Sequence, residues 1–399
     1  MRETKRPYYF YVLWFISIAA LPNVAIDCLT PAIPALADFF DTTTAQIQQA
    51  IGTQIGLLSG AVLVFGCVSM FSRRRPLILY GALAAAIGYG ILPHTSNLRY
   101  FVILLSCCGM GLASCSLFRA LQHDVFSGPQ LRKIAADVNL YLTLIYAIGP
   151  FVSGILLVNY GWQGIMYFLM MCCITCCFIT LIAPEPRRKD HNKLQLDHLA
   201  SAVSAVCQPA SLASNVCNAM TMLNYIALLL TIPILVIGQL GWRADAYGGV
   251  FLLIAGTSQM LGAMANRALI THYSEGVILH AVWLTLAGNA GLLSLCNWAM
   301  GLQVGWIFVL MWVNLFATVM IWPNIMTSSF AKLTKHAGVA ASLFAFFQYV
   351  GAFAGAWICS YFPRHSIDGL ALTLFVSNII SLIIFNKLNS YPSTQINTD

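Results

Sequence analysis

The stretch NVAIDCLTPAIP, Asn23 to Pro34, closes the first long apolar run and sets a carboxylate, Asp27, among residues of membrane-buried type. An acid at a bilayer centre costs on the order of 2.5–3.5 kcal/mol on insertion scales. Desolvation disfavours the ion. A carboxyl so poised takes or releases a proton as its surroundings alternate between two aqueous sides, and the chemistry it offers is proton carriage. A structural reading stands beside this one. Pro31, Pro34, Asp38 and Asp41 mark a nearby loop, and Asp27 would then be a satisfied group or lie in the outer interface. Asn23 sits one turn earlier on the same helix face, within reach of a hydrogen bond.

Arg119, in SLFRALQHDVF, is the second charge of interest. It either takes part in binding or gating or snorkels to the cytoplasmic interface; Asp124 follows it in what reads as a loop. Polar side chains within other apolar runs are candidates to line a cavity: Gln54, Tyr146, Asn218, Asn224, Tyr225, Gln259, Asn314 and Gln348. Taken singly, each such residue is more often a helix–helix hydrogen bond than a ligand contact. His280 is expected near a helix start, without a proton role.

No metal or cofactor is expected. CCITCC, Cys172 to Cys177, carries the spacing of a cluster on one helix, but no His or acid lies near it and free cysteine packs as a small hydrophobe. G-x-x-x-x-G-K-[ST], G-x-S-x-G and H-E-x-x-H are all absent, which excludes the ATPase and hydrolase classes those motifs mark. The chain is therefore not expected to be an enzyme.

The surrounding chain must hold these residues in lipid. Of its 399 residues 59% are hydrophobic and 8% charged, with mean hydropathy +0.78, too little charge to cover a water-facing surface. The net charge of +7 sits in short loops and fits membrane topology rather than nucleic-acid binding. Twelve apolar spans are expected, at 8–28, 46–70, 76–93, 99–119, 137–158, 162–183, 212–237, 246–266, 275–296, 302–323, 338–361 and 367–386. With a cytoplasmic N-terminus, all of the 20 Lys and Arg residues except Arg99, Arg243 and Arg364 fall on the inner side, satisfying the positive-inside rule and making both termini cytoplasmic. The polar segment from Glu185 to His198 divides the spans six and six, giving an N-terminal bundle (1–184), a cytoplasmic linker (185–211) and a C-terminal bundle (212–399). Gly52, Gly56 and Gly60, and Gly351 and Gly355, recur every four residues and are expected to admit close helix packing.

Four stretches resemble the major facilitator superfamily, specifically its twelve-span drug/proton antiporters of the Bcr/CflA type. DCLTPAIPALADFF is similar to that family's first-span D-x-Y-L-P-A-L-P-x-I motif, and RALQHDVF to the R-A-x-x-x-D that ends its fourth span. GPFVSG, with Gly149, Pro150 and Gly154, followed by GWQGIMYF, resembles the fifth-span antiporter motif. HAGVAASLFAFFQYVGAFAG is similar to the eleventh-span segment. The family's loop between spans two and three departs: in GCVSMFSRRRP, Met70 replaces its acid, Phe71 its first Arg and Arg73 its second Gly. Leu105 and Cys108 stand where a fourth-span Arg and Gln would be. The charge latch of that loop is therefore expected to be weakened or rebuilt.

The resemblance implies an all-α membrane protein of two six-helix bundles around a central cavity. It implies a monomer in the bacterial inner membrane, exporting small amphipathic drugs, siderophores or metabolites in exchange for protons carried by Asp27. A proton-coupled importer, and a non-transporting receptor or assembly factor on the same fold, are the alternatives. The partners expected are a small-molecule substrate, protons and lipid, and no nucleic acid.

Overall fold

A helix of 55 residues, Gly128–Ile182, would run about 80 Å if straight, far more than a bilayer needs. It is not straight: Gly161 has φ 69° and ψ −175°, a conformation that side chains with a Cβ rarely adopt. The break turns one helix into two antiparallel arms and falls between the fifth and sixth expected spans. The computed structural model describes residues 7–184, 209–330, 337–362 and 367–389, and the described residues form helices and turns without a strand. The linker from 185 to 208, both extreme termini and Arg364 lie outside them.

The helices are α1 (Tyr8–Asp27), α2 (Ile33–Phe39), α3 (Thr44–Phe71), α4 (Arg74–Ile91), α5 (Leu98–Leu112), α6 (Phe118–Val125) and the two-armed α7 (Gly128–Ile182). The rest are α8 (Pro209–Pro233), α9 (Ala244–Leu269), α10 (Glu275–Met300), α11 (Val304–Phe330), α12 (Ala337–Ser360) and α13 (Ile367–Asn389). Among the described residues eleven stretches are long and apolar enough to cross a membrane; the two arms of α7 bring the number to the twelve expected. Local chemistry sets several starts. Thr43 caps α3 through its side chain on the Gln46 amide at 3.2 Å, and Asn97 caps α5 on the Arg99 amide at 2.8 Å, each satisfying an orphan donor of a first turn.

Two spans differ from expectation. The first does not end at residue 28. A short 3-10 turn, Thr30–Ala32, carries the chain into α2, and the apolar stretch reaches Phe39. Pro31 and Pro34 sit in the first turns of these short helices, where a missing amide costs nothing. The fourth span is broken: α5 stops at Leu112, a 3-10 turn runs Ala113–Leu117, and α6 takes over. The Ser114 and Ser116 hydroxyls donate to the carbonyls of Gly111 (2.8 Å) and Ala113 (2.7 Å), competing with the backbone ladder where the helix tightens. Asp124 lies within α6 rather than in a loop.

Packing sorts the helices into two groups. α1, α3, α4, α5 and α7 pack among themselves, as do α8 to α13. The groups meet chiefly along two seams, α3 on α12 and α7 on α9. The glycine ladders serve these contacts. A Cβ on Gly52 would stand 2.7 Å from the Trp357 ring and one on Gly56 2.9 Å from the Phe353 ring, whereas Gly60 has nothing within 4 Å; only the first two have the packing role expected of all three. Gly351 and Gly355 press α12 onto the backbone of α8 at Ala219 and Leu223. A Cβ on Gly355 would meet the Leu223 carbonyl at 2.6 Å, and backbone cannot yield as a side chain can. Gly355→Ala is therefore expected to destabilise the protein by about 1–3 kcal/mol, visible as a lower unfolding temperature, while Gly60→Ala leaves that temperature unchanged.

The altered loop between α3 and α4 is rebuilt on arginine. Arg74 Nη1 reaches the Asp124 carboxylate at 2.5 Å and the Ala120 carbonyl at 3.0 Å. Arg75 donates to the carbonyls of Thr180 (2.9 Å) and Leu181 (2.6 Å), the acceptor-rich C-terminal end of α7. Across the other group, Asn324 donates to Asn266 at 2.8 Å. Removing the Arg74 charge as Arg74→Gln is expected to cost roughly 1.5–3 kcal/mol. Asp124→Asn should cost about as much, and the double variant little more than either, as thermal unfolding of all three would read out.

Candidate substrate and proton site

Between the two groups lies a cavity of about 1240 Å³. Its wall takes only one end of most helices: Leu63 to Ser69 of α3, Cys115 to Ala120 around the α5–α6 break, Ala136 to Tyr146 of α7, Gly256 to Asn266 of α9, Val319 to Met326 of α11 and Ser342 to Tyr349 of α12. All these segments lie toward the face that carries the α3–α4 loop, and the deepest point is Asp27 on α1. Leu140 and Leu144 of α7, and Met260 and Met264 of α9, line the cavity and are solvent-exposed.

The opposite end is shut. A Cβ on Gly154 of α7 would strike the Ala244 carbonyl, and one on Gly248 of α9 would lie 2.8 Å from the Pro150 carbonyl. The α7 and α9 backbones thus touch across the two groups through GPFVSG. The same motif grips α1. Cys28 Sγ donates to the Gly149 carbonyl at 3.5 Å, and the Ser153 hydroxyl donates to the Cys28 carbonyl. Gly149 faces the Cβ of Asp27. Gly149, Pro150 and Gly154 lie outside the cavity wall; they form the plug above Asp27.

Asp27 is 2% exposed and ends α1 well short of the Phe39 end of its span, so it does not lie at the membrane's outer boundary. Its backbone carbonyl accepts from Thr30 Oγ1 at 2.9 Å. Among the described residues no cation pairs with its carboxylate and no side chain donates to it. Asn23 does not bond it; the Asn23 amide donates instead to the Tyr146 hydroxyl at 2.8 Å. Tyr146, Tyr225 and Tyr349 lie within electrostatic range of Asp27.

Arg119 is the second residue of α6, directly after the fourth-span break, and lies on the cavity wall. Its guanidinium lies 5.5 Å from the Phe118 ring centroid and within electrostatic range of Tyr146 and Tyr349. Among the described residues no carboxylate pairs with it.

Of the other expected cavity residues, Tyr225, Gln259 and Gln348 line the wall, Gln348 pointing its amide at the Met222 sulfur, 3.9 Å away. Four do not. Gln54 donates to Tyr89 at 3.3 Å and Asn218 to the Phe344 carbonyl at 3.1 Å. Asn224 donates to Asn378 at 3.1 Å and accepts from Ser377 at 2.8 Å, and Asn314 accepts from Thr318 at 3.4 Å. All four are buried within or between helices, where an amide needs such partners, and they are not cavity residues. His280 is held by Asn386 and the Gly276 carbonyl, away from the cavity. The wall also holds aromatic residues that were not expected, among them Tyr349 and Trp322; Trp322 packs edge-on against Tyr225 at 5.8 Å between centroids. Cys108 of α5, Cys177 of α7 and Cys217 of α8 donate weakly to carbonyls of neighbouring helices, as Cys177 does to Leu79 at 3.8 Å, and among the described residues no three His, Cys, Asp or Glu side chains converge as metal ligands.

The arrangement can hold an amphipathic molecule against an aromatic wall while a carboxyl at the closed end changes protonation. Comparisons with known proteins agree with that architecture. The chain is 23% identical over 396 residues to a bicyclomycin resistance protein homolog of Haemophilus influenzae, covering 96% of each chain. It is 21% identical over 397 residues to the multidrug resistance protein MdtL of Shewanella oneidensis, covering 97% of this chain and 98% of that one. A bacterial homolog of the human lysosomal transporter Spinster, solved in an inward-facing and occupied conformation, superposes with a TM-score of 0.72 at 12% identity over 96% and 97% of the two chains. The profile of the Major Facilitator Superfamily matches residues 13–356, and the chain is a member of that family of multi-pass membrane transporters.

Proposed function

We propose that this protein is a proton-coupled exporter of small amphipathic molecules of the drug class. The observation that carries the reading is a large cavity open toward one face, ending at a carboxyl that has no partner among the described residues and shut above it by GPFVSG against α9. That is one state of an alternating-access cycle. The names of its relatives, which concern resistance to bicyclomycin and to multiple drugs, favour export over uptake and over a receptor role.

In this reading residues 1–184 and 212–399 move as two units about a connecting segment at 185–211. The open face is cytoplasmic, as the arginines of the α3–α4 loop favour, and both termini lie on that side. Substrate enters from inside, Asp27 releases its proton inward, and the units rock until the α7–α9 plug parts and the opposite end closes. Asp27 then takes a proton from outside and the empty carrier returns. A monomer suffices, since the cavity and its acid belong to one chain.

Everted membrane vesicles energised by respiration test the direction. They should accumulate bicyclomycin or chloramphenicol, and a protonophore should release the load. Proton-driven depletion from the vesicle lumen would instead mark an importer, and no energised movement of any compound would leave a receptor.

A further inference from the structure

Among the described residues only three charged side chains line the cavity: Asp27, Arg74 and Arg119. Arg74 is neutralised by Asp124. That leaves one acid and one base, each without a counter-ion among the described residues, on the wall of one cavity. They do not pair with each other: no ion pair within 4.0 Å joins them. Tyr146, held by Asn23, stands within electrostatic range of both. Two opposite charges kept apart in low dielectric normally collapse onto each other or find other partners. Here the fold holds them apart. Arg119 is fixed by the α5–α6 break, with its two serine-to-carbonyl bonds, and Asp27 is fixed by the Cys28 and Ser153 ties to α7.

We infer that the substrate is a zwitterion: an aromatic amphiphile whose acidic group pairs with Arg119 while its basic group takes the place of the proton on Asp27. The inference rests on the export reading and names its substrate class. It also supplies the coupling. A purely anionic ligand on Arg119 would favour the protonated acid and oppose proton release. A ligand that brings its own cation to Asp27 drives the proton off, as exchange demands. Tyr225, Trp322 and Tyr349 offer the faces for the ring between the two charges.

Four matched probes test this: 4′-(aminomethyl)biphenyl-4-carboxylate, its methyl ester (cation only), its N-acetyl derivative (anion only) and the doubly capped neutral compound. Binding is measured calorimetrically with the full chain in lipid nanodiscs, and proton release is followed in weak buffer. The zwitterion should bind about tenfold or more tighter than either singly charged form, the gain of one charge-assisted hydrogen bond per end. Arg119→Gln should bring the zwitterion down to the ester and leave the ester unchanged. Asp27→Asn should bring it down to the N-acetyl form and leave that form unchanged. Arg119→Lys should keep part of the gain. If the capped forms bind as tightly as the zwitterion, if Arg119→Gln weakens all four alike, or if none binds, the inference is overturned. Should the ester alone bind and release a proton, proton-coupled export stands and only the substrate class falls.

Discussion

Asp27→Asn should uncouple transport from the proton gradient while leaving a cavity that still binds substrate, more weakly, and exchanges it. Asparagine keeps the size of the side chain and removes its titration, so the cavity and its aromatic wall remain. What disappears is the link to the proton gradient. One proton moving down 100 mV supplies about 2.3 kcal/mol, which at about 1.4 kcal/mol per decade sustains roughly a 50-fold concentration ratio. Asp27→Asn proteoliposomes should therefore equilibrate substrate across the membrane without accumulating it, a loss of up to that factor at 100 mV. The measurement is paired: substrate accumulation under an imposed potential and pH gradient, and proton release on adding substrate to purified protein. Both should vanish together, and counterflow exchange of labelled for unlabelled substrate should continue. Proton release that persists in Asp27→Asn would show that another group carries the proton. The geometry points to Asp27 because, among the described residues, it is the one acid on the cavity wall.

The prominence of Asp27 was legible in the sequence because an isolated acid in an apolar run has few structural excuses. Its depth was not. Pro31 and Pro34 read as the end of a span, and only the structure shows them opening two short helices that carry the apolar stretch to Phe39. Helix number and order were legible for a physical reason: lipid demands long apolar helices, and the loops between them keep their charge. Which polar residues face the cavity was not legible. Asn224 looks like a ligand contact until Asn378 and Ser377, over 150 residues later, are found beside it. Tyr349 and Trp322 were passed over because membrane aromatics gather at interfaces as readily as in sites. Arg119 stood equally well as a snorkelling cation. The 3-10 break directly before it has no strong sequence mark beyond the serines of LASCSLF.

The second large effect is expected at the plug. In the state described, the α7 and α9 backbones touch because positions 154 and 248 carry no Cβ. A methyl group at 154 would collide with the Ala244 carbonyl, and one at 248 would sit 2.8 Å from the Pro150 carbonyl, well inside van der Waals contact. Neither neighbour is the far end of a flexible side chain, so the two backbones must part. Overpacking of this kind costs about 1–3 kcal/mol, and here the cost falls only on states in which the plug is shut. By population arithmetic, that shifts the balance between shut and open forms by roughly 5- to 150-fold. Gly154→Ala and Gly248→Ala should each slow export by a factor in that range, because the carrier no longer closes its outer end. Hydrogen exchange should rise in peptides spanning 148–158 and 244–252, with the unfolding temperature nearly unchanged. Gly249 is the internal control. It neighbours Gly248 on the same helix, but its Cβ would meet only the Phe151 ring at 3.9 Å, an ordinary contact, so Gly249→Ala should transport and exchange as the parent does. If Gly248→Ala and Gly249→Ala behave alike, the contact between GPFVSG and α9 is not the element that closes the carrier, and closure must be sought along the α3–α12 seam.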